Sequence, residues 1–190
     1  MPQQTFTITV NVQELFTEFI PKLAKEYIQM RGEQEELEGT ELSLTVDISG
    51  SLYSYVIKDG IHFNVKEGDI DTPMVRISVP LESMTKFADM KNVDMLINMQ
   101  KQLTRKNFDL LSALKGKGVF KMRHADGTIS EIAVIFNNVD SPRATLLLSM
   151  ESANLISSGT ESPVNLFMSG KLKIEGDITL AMKLQPLFAA

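Results

Sequence analysis

Apolar positions change their spacing several times along the chain, and each change marks an element. Val12, Leu15, Phe16, Phe19, Ile20, Leu23, Ala24, Tyr27 and Ile28 recur at helical spacing and make a wide apolar stripe. Pro21 breaks or kinks that stretch and suits the first turn of a second helix. Residues 32–39 are acidic and aperiodic, which predicts an exposed loop. Alternating runs at 42–48, 52–57 and 61–65 predict three half-buried strands. They are separated by Ser49-Gly50-Ser51 and Lys58-Asp59-Gly60, and Asp-Gly is a strong hairpin signal.

The second half repeats this plan. Leu96, Met99, Leu103, Leu110, Leu111 and Leu114 predict a long helix that ends at Gly116 or Gly118. Strands are expected at 118–124 and 129–136, joined by Ala125-Asp126-Gly127-Thr128, and another at 144–149 with a helix at 151–158. Pro163 suits the start of a short helix ending at Gly170, and 171–175 forms a last strand. Asp177 is placed to cap a final helix at 178–185, which Pro186 closes. That helix is apolar over most of its circumference, so it needs a core or a ligand to cover.

Two of these strand–helix junctions match each other. DTPMVRISVPLES at 71–83 and DSPRATLLLSMES at 140–152 align without a gap at a step of 69 residues, sharing Asp, Pro, Glu and Ser. Ile8, Val10 and Val12 give a fainter echo one step earlier. The expected fold class is α+β: a mainly antiparallel sheet, about five strands per unit, covered by helices, with a partial N-terminal duplication. The expected division is 1–91, an incomplete copy of the unit, and 92–190, a complete one.

Composition changes this picture little. The chain of 190 residues is 43% hydrophobic and 23% charged, enough for a packed core, and its net charge of −5 argues against general nucleic-acid binding. There is no cysteine, hence no disulfide, thiolate nucleophile or cysteine metal site, which suits a reducing, cytoplasmic setting. No signal-peptide pattern opens the chain, and no apolar run reaches membrane-spanning length. Eleven methionines and ten phenylalanines, against three tyrosines and no tryptophan, suit an adaptable apolar interior or a plastic lipid cavity.

Candidate chemistry is sparse. His62 and His124 have no second histidine or carboxylate at metal-ligand spacing, and no nucleophile elbow or phosphate-binding loop is present. No cofactor, no metal and no catalytic residue is expected. Lys101, Arg105, Lys106, Lys115, Lys117, Lys121 and Arg123 fall in one stretch whose only acid is Asp109. They read either as a solvated surface or as a patch for anionic headgroups and transient contact with an anionic membrane surface.

FMSGKLKIEGDITLAMKLQ, residues 167–185, resembles the C-terminal signature of the sterol carrier protein 2 family, the non-specific lipid-transfer proteins. The resemblance covers roughly residues 92–190, with Phe167, the strand at 170–174, Gly176 and the helix around 180–184 carrying it. It implies a five-stranded sheet and helices around an apolar tunnel, and non-catalytic binding and transfer of a fatty acid, fatty acyl-CoA, sterol or isoprenoid lipid. Met150, Leu155, Ile156, Leu166, Phe167, Met182, Leu184 and Phe188 are the candidate ligand-binding residues, with the last helix as a door. Burial of sixteen carbons yields roughly 12 kcal/mol gross, so such a carrier needs few polar contacts. The remaining expectations are a lipid or acyl-CoA ligand, no nucleic acid, and a homodimer as a candidate assembly. The alternative is an accessory module that presents a hydrophobic substrate to a partner enzyme or mediates assembly. An enzyme built on unmarked carboxylates is the third reading.

Overall fold

The computed structural model describes residues 12–32, 34–84 and 103–187. Leu96, Met99, Lys101 and Phe188, and the echo at Ile8 and Val10, lie outside the described residues. The first helical segment starts at Val12–Glu14, passes through a π stretch at Leu15–Phe19 and continues as α1, Ile20–Arg31, with Pro21 in its first turn. Pro21 lies within a continuous helical run, directly after the π stretch, so the expected break is not present. The 32–39 segment is not wholly exposed: a short 3-10 turn, Glu35–Leu37, buries Leu37 completely.

The strands are β1 (Glu41–Ile48), β2 (Ser51–Lys58), β3 (His62–Glu67) and β4 (Val75–Val79), then β5 (Gly116–Arg123), β6 (Ile129–Phe136), β7 (Arg143–Ser149) and β8 (Leu172–Gly176). The helices that follow the first sheet half are α2 (Arg105–Ala113), α3 (Met150–Ser157), α4 (Pro163–Met168) and α5 (Ile178–Leu184). The helix expected to end at Gly116 or Gly118 stops earlier, because Gly116 already opens β5 and Leu114 is extended. Pro186 does not end the last helix abruptly; it lies in a 3-10 turn, Gln185–Leu187, that tightens the terminus.

All eight strands form one sheet in the order β3-β2-β1-β4-β6-β5-β7-β8. It is mixed rather than wholly antiparallel, since β1 pairs β4 and β5 pairs β7 in parallel. The reason lies in the connections. The β5–β6 hairpin returns the chain to the start of β5, and a short turn there launches β7 along the free edge of β5 in the same direction. In the first half, residues 68–74 carry the chain from the end of β3 back to the start of β4. That crossover is pinned to the sheet: Thr45 Oγ1 donates to Asp69 Oδ1 at 3.1 Å, and Ser54 Oγ donates to the Gly68 carbonyl at 2.7 Å. Arg76, on β4, closes an ion pair with Asp69 at 3.0 Å.

Strand register divides the two faces cleanly, because directly paired residues share a face. One row crosses seven strands: Tyr53, Val46, Ile77, Val134, Gly118, Ala144 and Gly176. It is bulky on the first four strands and small on the last three. The helical layer lies on this apolar face. Phe16 stacks on Tyr53 with ring centroids 5.3 Å apart, and Tyr55 Oη donates to the Phe16 carbonyl at 2.6 Å. The opposite face carries cross-strand ion pairs, Lys58 with Glu41 at 3.1 Å and Lys121 with Glu131 at 3.5 Å.

Candidate functional site

The small end of the row receives the last helix. Leu180, Ala181 and Leu184 of α5 are buried, and Leu184 packs onto Gly118. Asp177 fixes the start of the helix, its Oδ1 accepting Leu180 N–H at 2.6 Å while its own N–H donates to the Arg143 carbonyl at 2.8 Å. One side of α5 is therefore anchored, while Ile178 and Met182 remain 55% and 44% exposed. The apolar circumference of this helix is thus divided between the sheet and the surface.

The middle of the row is less completely covered. Leu44, Ile77, Ile132 and Val134 are only half-buried, although they adjoin the buried core on the apolar face. They come from β1, β4 and β6, so the seam between the two sheet halves is lined by apolar side chains that the described helices do not fully cover.

The residues singled out from the sequence separate into groups. Ile156, Leu166 and Leu184 lie in the core, Leu166 and Leu184 at 1% and 0% exposure. Met150 and Leu155 are half-buried on α3, whereas Phe167 and Met182 are exposed. The basic stretch also divides. Arg105 lies on α2, bonded to Asp109 at 3.3 Å and to the Glu38 carbonyl at 3.1 Å, with Lys106 exposed beside it. Lys117, Lys121 and Arg123 instead alternate along β5 on the polar face, and Lys115 precedes that strand, exposed.

A cleft of about 290 Å³ opens where β7 passes into α3 and β8 begins. Arg123, Lys171 and Lys173 line it together with Glu151, Ser149, Ser152 and the apolar Leu147, Leu148 and Leu155. Of these, only Leu155 and Arg123 are candidate site or patch residues in the sequence. The alternation of Lys171 and Lys173 along one strand was the available signal, but their nearness to Arg123 depends on the β5–β7–β8 order. A second cleft of about 420 Å³ lies at the β2–β3 edge beside Lys25, His62 and Phe63.

Among the described residues no cluster of histidine and carboxylate side chains is placed to hold a metal ion. His124 follows β5, and its Nε2 lies 2.6 Å from Ser130 Oγ. Ser130 has no exposed surface, so this pair ties the hairpin together and does not present a nucleophile.

The profile of the SCP-2 sterol transfer family matches residues 103–189, from just before α2 to the end of the described chain and two residues beyond it. Those residues are an SCP-2 domain. The SCP-2 domain thus includes the basic cleft, all of β5–β8 and the anchored last helix, and lipid binding and transfer in general is the activity such a domain implies. The chain is also similar to three solved structures. The sterol carrier protein domain 2 of Helicoverpa armigera is 26% identical, with 56% of this chain and 85% of that chain covered and a TM-score of 0.37. Sterol carrier protein 2 from Yarrowia lipolytica, in its apo form, is 20% identical, with coverage of 54% and 90% and a TM-score of 0.35. A UbiJ-SCP2 ubiquinone synthesis protein is 12% identical, with coverage of 94% and 93% and a TM-score of 0.29. No curated protein matches the chain significantly. No described helix is long and apolar enough to cross a membrane.

Proposed function

We propose that this protein binds and carries an apolar ligand, a fatty acid, acyl-CoA, sterol or isoprenoid lipid, without catalysing a reaction on it. The observation that carries the reading is the seam of half-buried apolar residues, Leu44, Ile77, Ile132 and Val134, beside an SCP-2 domain. Apolar surface left partly in water on the core side of a sheet gains about 25 cal/mol per Å² when a hydrocarbon covers it. Non-directional burial of this kind recognises a tail without needing a polar signature. Met150, Leu155 and Met182 remain candidate contacts for that tail, since their long side chains are not sealed within the core.

The proposal includes two related units. In the first half β1 has an antiparallel neighbour, β2, and a parallel one, β4; in the second half β5 has β6 and β7 in the same relation. The matching sequences at 71–83 and 140–152 fall on β4 and β7 and the helical turns after them. In this reading 1–91 and 92–190 are copies of one plan, and the β4–β6 pairing joins them so that the lipid site lies along their seam.

The test is titration of the full chain with a fluorescent long-chain fatty acid. Wild type is expected to bind at micromolar or better affinity. Ile77→Asp, which sets a carboxylate against the tail, and Val134→Trp, which fills the seam, are each expected to weaken binding about tenfold or more while the circular dichroism spectrum stays native. Unchanged affinity in both variants would remove the seam as the site.

A further inference from the structure

We infer that the cleft at the ends of β5, β7 and β8 is a phosphate site, taking the phosphate or diphosphate head of a ligand whose hydrocarbon tail lies on the apolar face. This deepens the lipid reading above and rests on it. The charges meet through strand register. Arg123 is the parallel partner of Ser149. Leu148 pairs with Leu172 and Leu147 with Lys173, which sets Lys171 beside Ser149 at the next position along. Arg123, Lys171 and Lys173 therefore belong to the polar face, and all three line the cleft. Arg123 and Lys171 are two strand spacings apart, about 10 Å, a gap that a phosphate or diphosphate can bridge.

Charge favours an anion there. Glu151 is the single carboxylate among the lining residues, so three cations meet one negative group in a chain whose net charge is −5. Lys121, one position back on the same face of β5, is paired with Glu131 at 3.5 Å, whereas no ion pair to Arg123, Lys171 or Lys173 forms among the described residues. Like charges held on either side of β7 repel, and a bound anion relieves that repulsion. An arginine fork with two lysine point charges suits phosphate oxygens. Ser149 and Ser152 add hydroxyls, held by Ser149 Oγ donating to Ser152 Oγ at 3.0 Å.

The remaining wall gives the ligand its second half. Leu147, Leu148 and Leu155 line the same cleft, and Leu148 packs against the core on the apolar face. In this reading the tail of a ligand whose head is held by Arg123 and Lys171 leaves the cleft past Leu148, around the strand ends to the apolar face. A phosphate without a tail would leave that path uncovered.

The test uses calorimetry on the full chain with three probes: dodecyl phosphate below its micelle concentration, dodecanol as the same tail without charge, and inorganic pyrophosphate as a head alone. Dodecyl phosphate is expected to bind at least about tenfold tighter than dodecanol, the order that two or three partly exposed charge pairs supply. That gain should shrink with added salt. It should vanish in the triple variant Arg123→Gln, Lys171→Gln, Lys173→Gln, whose dodecanol affinity stays unchanged. The charge-keeping pair Arg123→Lys, Lys171→Arg should retain it. Pyrophosphate is expected to compete with dodecyl phosphate but to bind more weakly. Equal affinity for both tailed probes, or an unchanged gain in the triple variant, overturns the phosphate site. Pyrophosphate binding as tightly as dodecyl phosphate overturns the lipid-head assignment in favour of a free phosphate. Dodecanol binding with no gain from the phosphate sinks this site alone, whereas failure of both tailed probes sinks the carrier reading with it.

Discussion

Leu184 lies over Gly118 so closely that its Cδ1 is 3.0 Å from where a Cβ on that glycine would stand. Leu180 bears on Gly116 in the same way, at 2.9 Å. The last helix is thus seated in a trough of missing side chains, and its position depends on those two residues staying small. At Gly116 a Cβ would also come within 2.5 Å of the Pro142 carbonyl, and its φ of +128° is a conformation that other residues rarely adopt. Gly116→Ala is therefore expected to destabilise the protein by at least about 2 kcal/mol, and Gly118→Ala by about 1 kcal/mol, because Leu184 and Phe120 can yield. Urea unfolding measures both. Equal stability in both variants and wild type would contradict the seating of α5.

Asp177 holds the other end of that contact. Asp177→Ala removes the acceptor for Leu180 N–H and is expected to cost about 1 kcal/mol, in the range for lost N-caps. Hydrogen exchange should accelerate in residues 178–184 first, with β5 and β7 unaffected. Uniform acceleration across the sheet would mean that α5 does not open separately.

Acid stability should depend on the crossover after β3. Burial raises the Asp69 carboxyl, but hydrogen bonds from Arg76, Thr45 and the Ile70 N–H, together with the Arg76 charge, outweigh this and hold it below the usual carboxylate range. A depressed folded value gives a contribution that is present above the ordinary carboxylate pKa and is lost as pH falls through the folded value. Stability of the wild type should therefore drop more steeply than that of Asp69→Asn in the acid range below about pH 4. Urea midpoints at pH 6 and pH 3 test this. Parallel slopes would show that the network carries no proton linkage.

Much of the fold could be read along the chain, and the parts that could not share a cause. The β1–β2 hairpin was legible because Ser49-Gly50 must turn between two alternating runs, and both residues have positive φ, 49° and 96°. The cap at Asp177 follows from local sequence as well. The parallel β1–β4 and β5–β7 pairs did not, because alternation specifies which side chains share a face and not which strand lies next door. For the same reason Arg123 was visible as one cation in a basic stretch, but its meeting with Lys171 and Lys173 was not. Leu37 hid in an acidic segment because a single apolar residue carries no period. Leu184 and Leu166, read from the sequence as candidate ligand contacts, are buried in the structure.

Tyr55 ties the first helical segment to the sheet. Its hydroxyl donates to the Phe16 carbonyl at 2.6 Å, and burial, with a smaller effect from Tyr53, pushes its ionisation far above the usual phenol range. Tyr55→Phe leaves that carbonyl without its donor and is expected to cost about 1–3 kcal/mol. Because a phenol with a raised folded pKa ionises first in the unfolded chain, the wild type should also lose stability as pH rises above about 10, and Tyr55→Phe should lose less. Denaturation at pH 8 and pH 11 distinguishes the two slopes; identical slopes would place Tyr55 in contact with solvent.

The most direct measurement is native mass spectrometry of the full chain purified from cells, followed by collisional release of whatever it holds. Binding of an apolar ligand along the Ile77–Val134 seam predicts adducts of a few hundred daltons that leave as lipid ions, reappear when the stripped chain is given lipid, and diminish in Ile77→Asp. A chain that carries only its own mass, and takes up no lipid when lipid is supplied, would contradict a carrier.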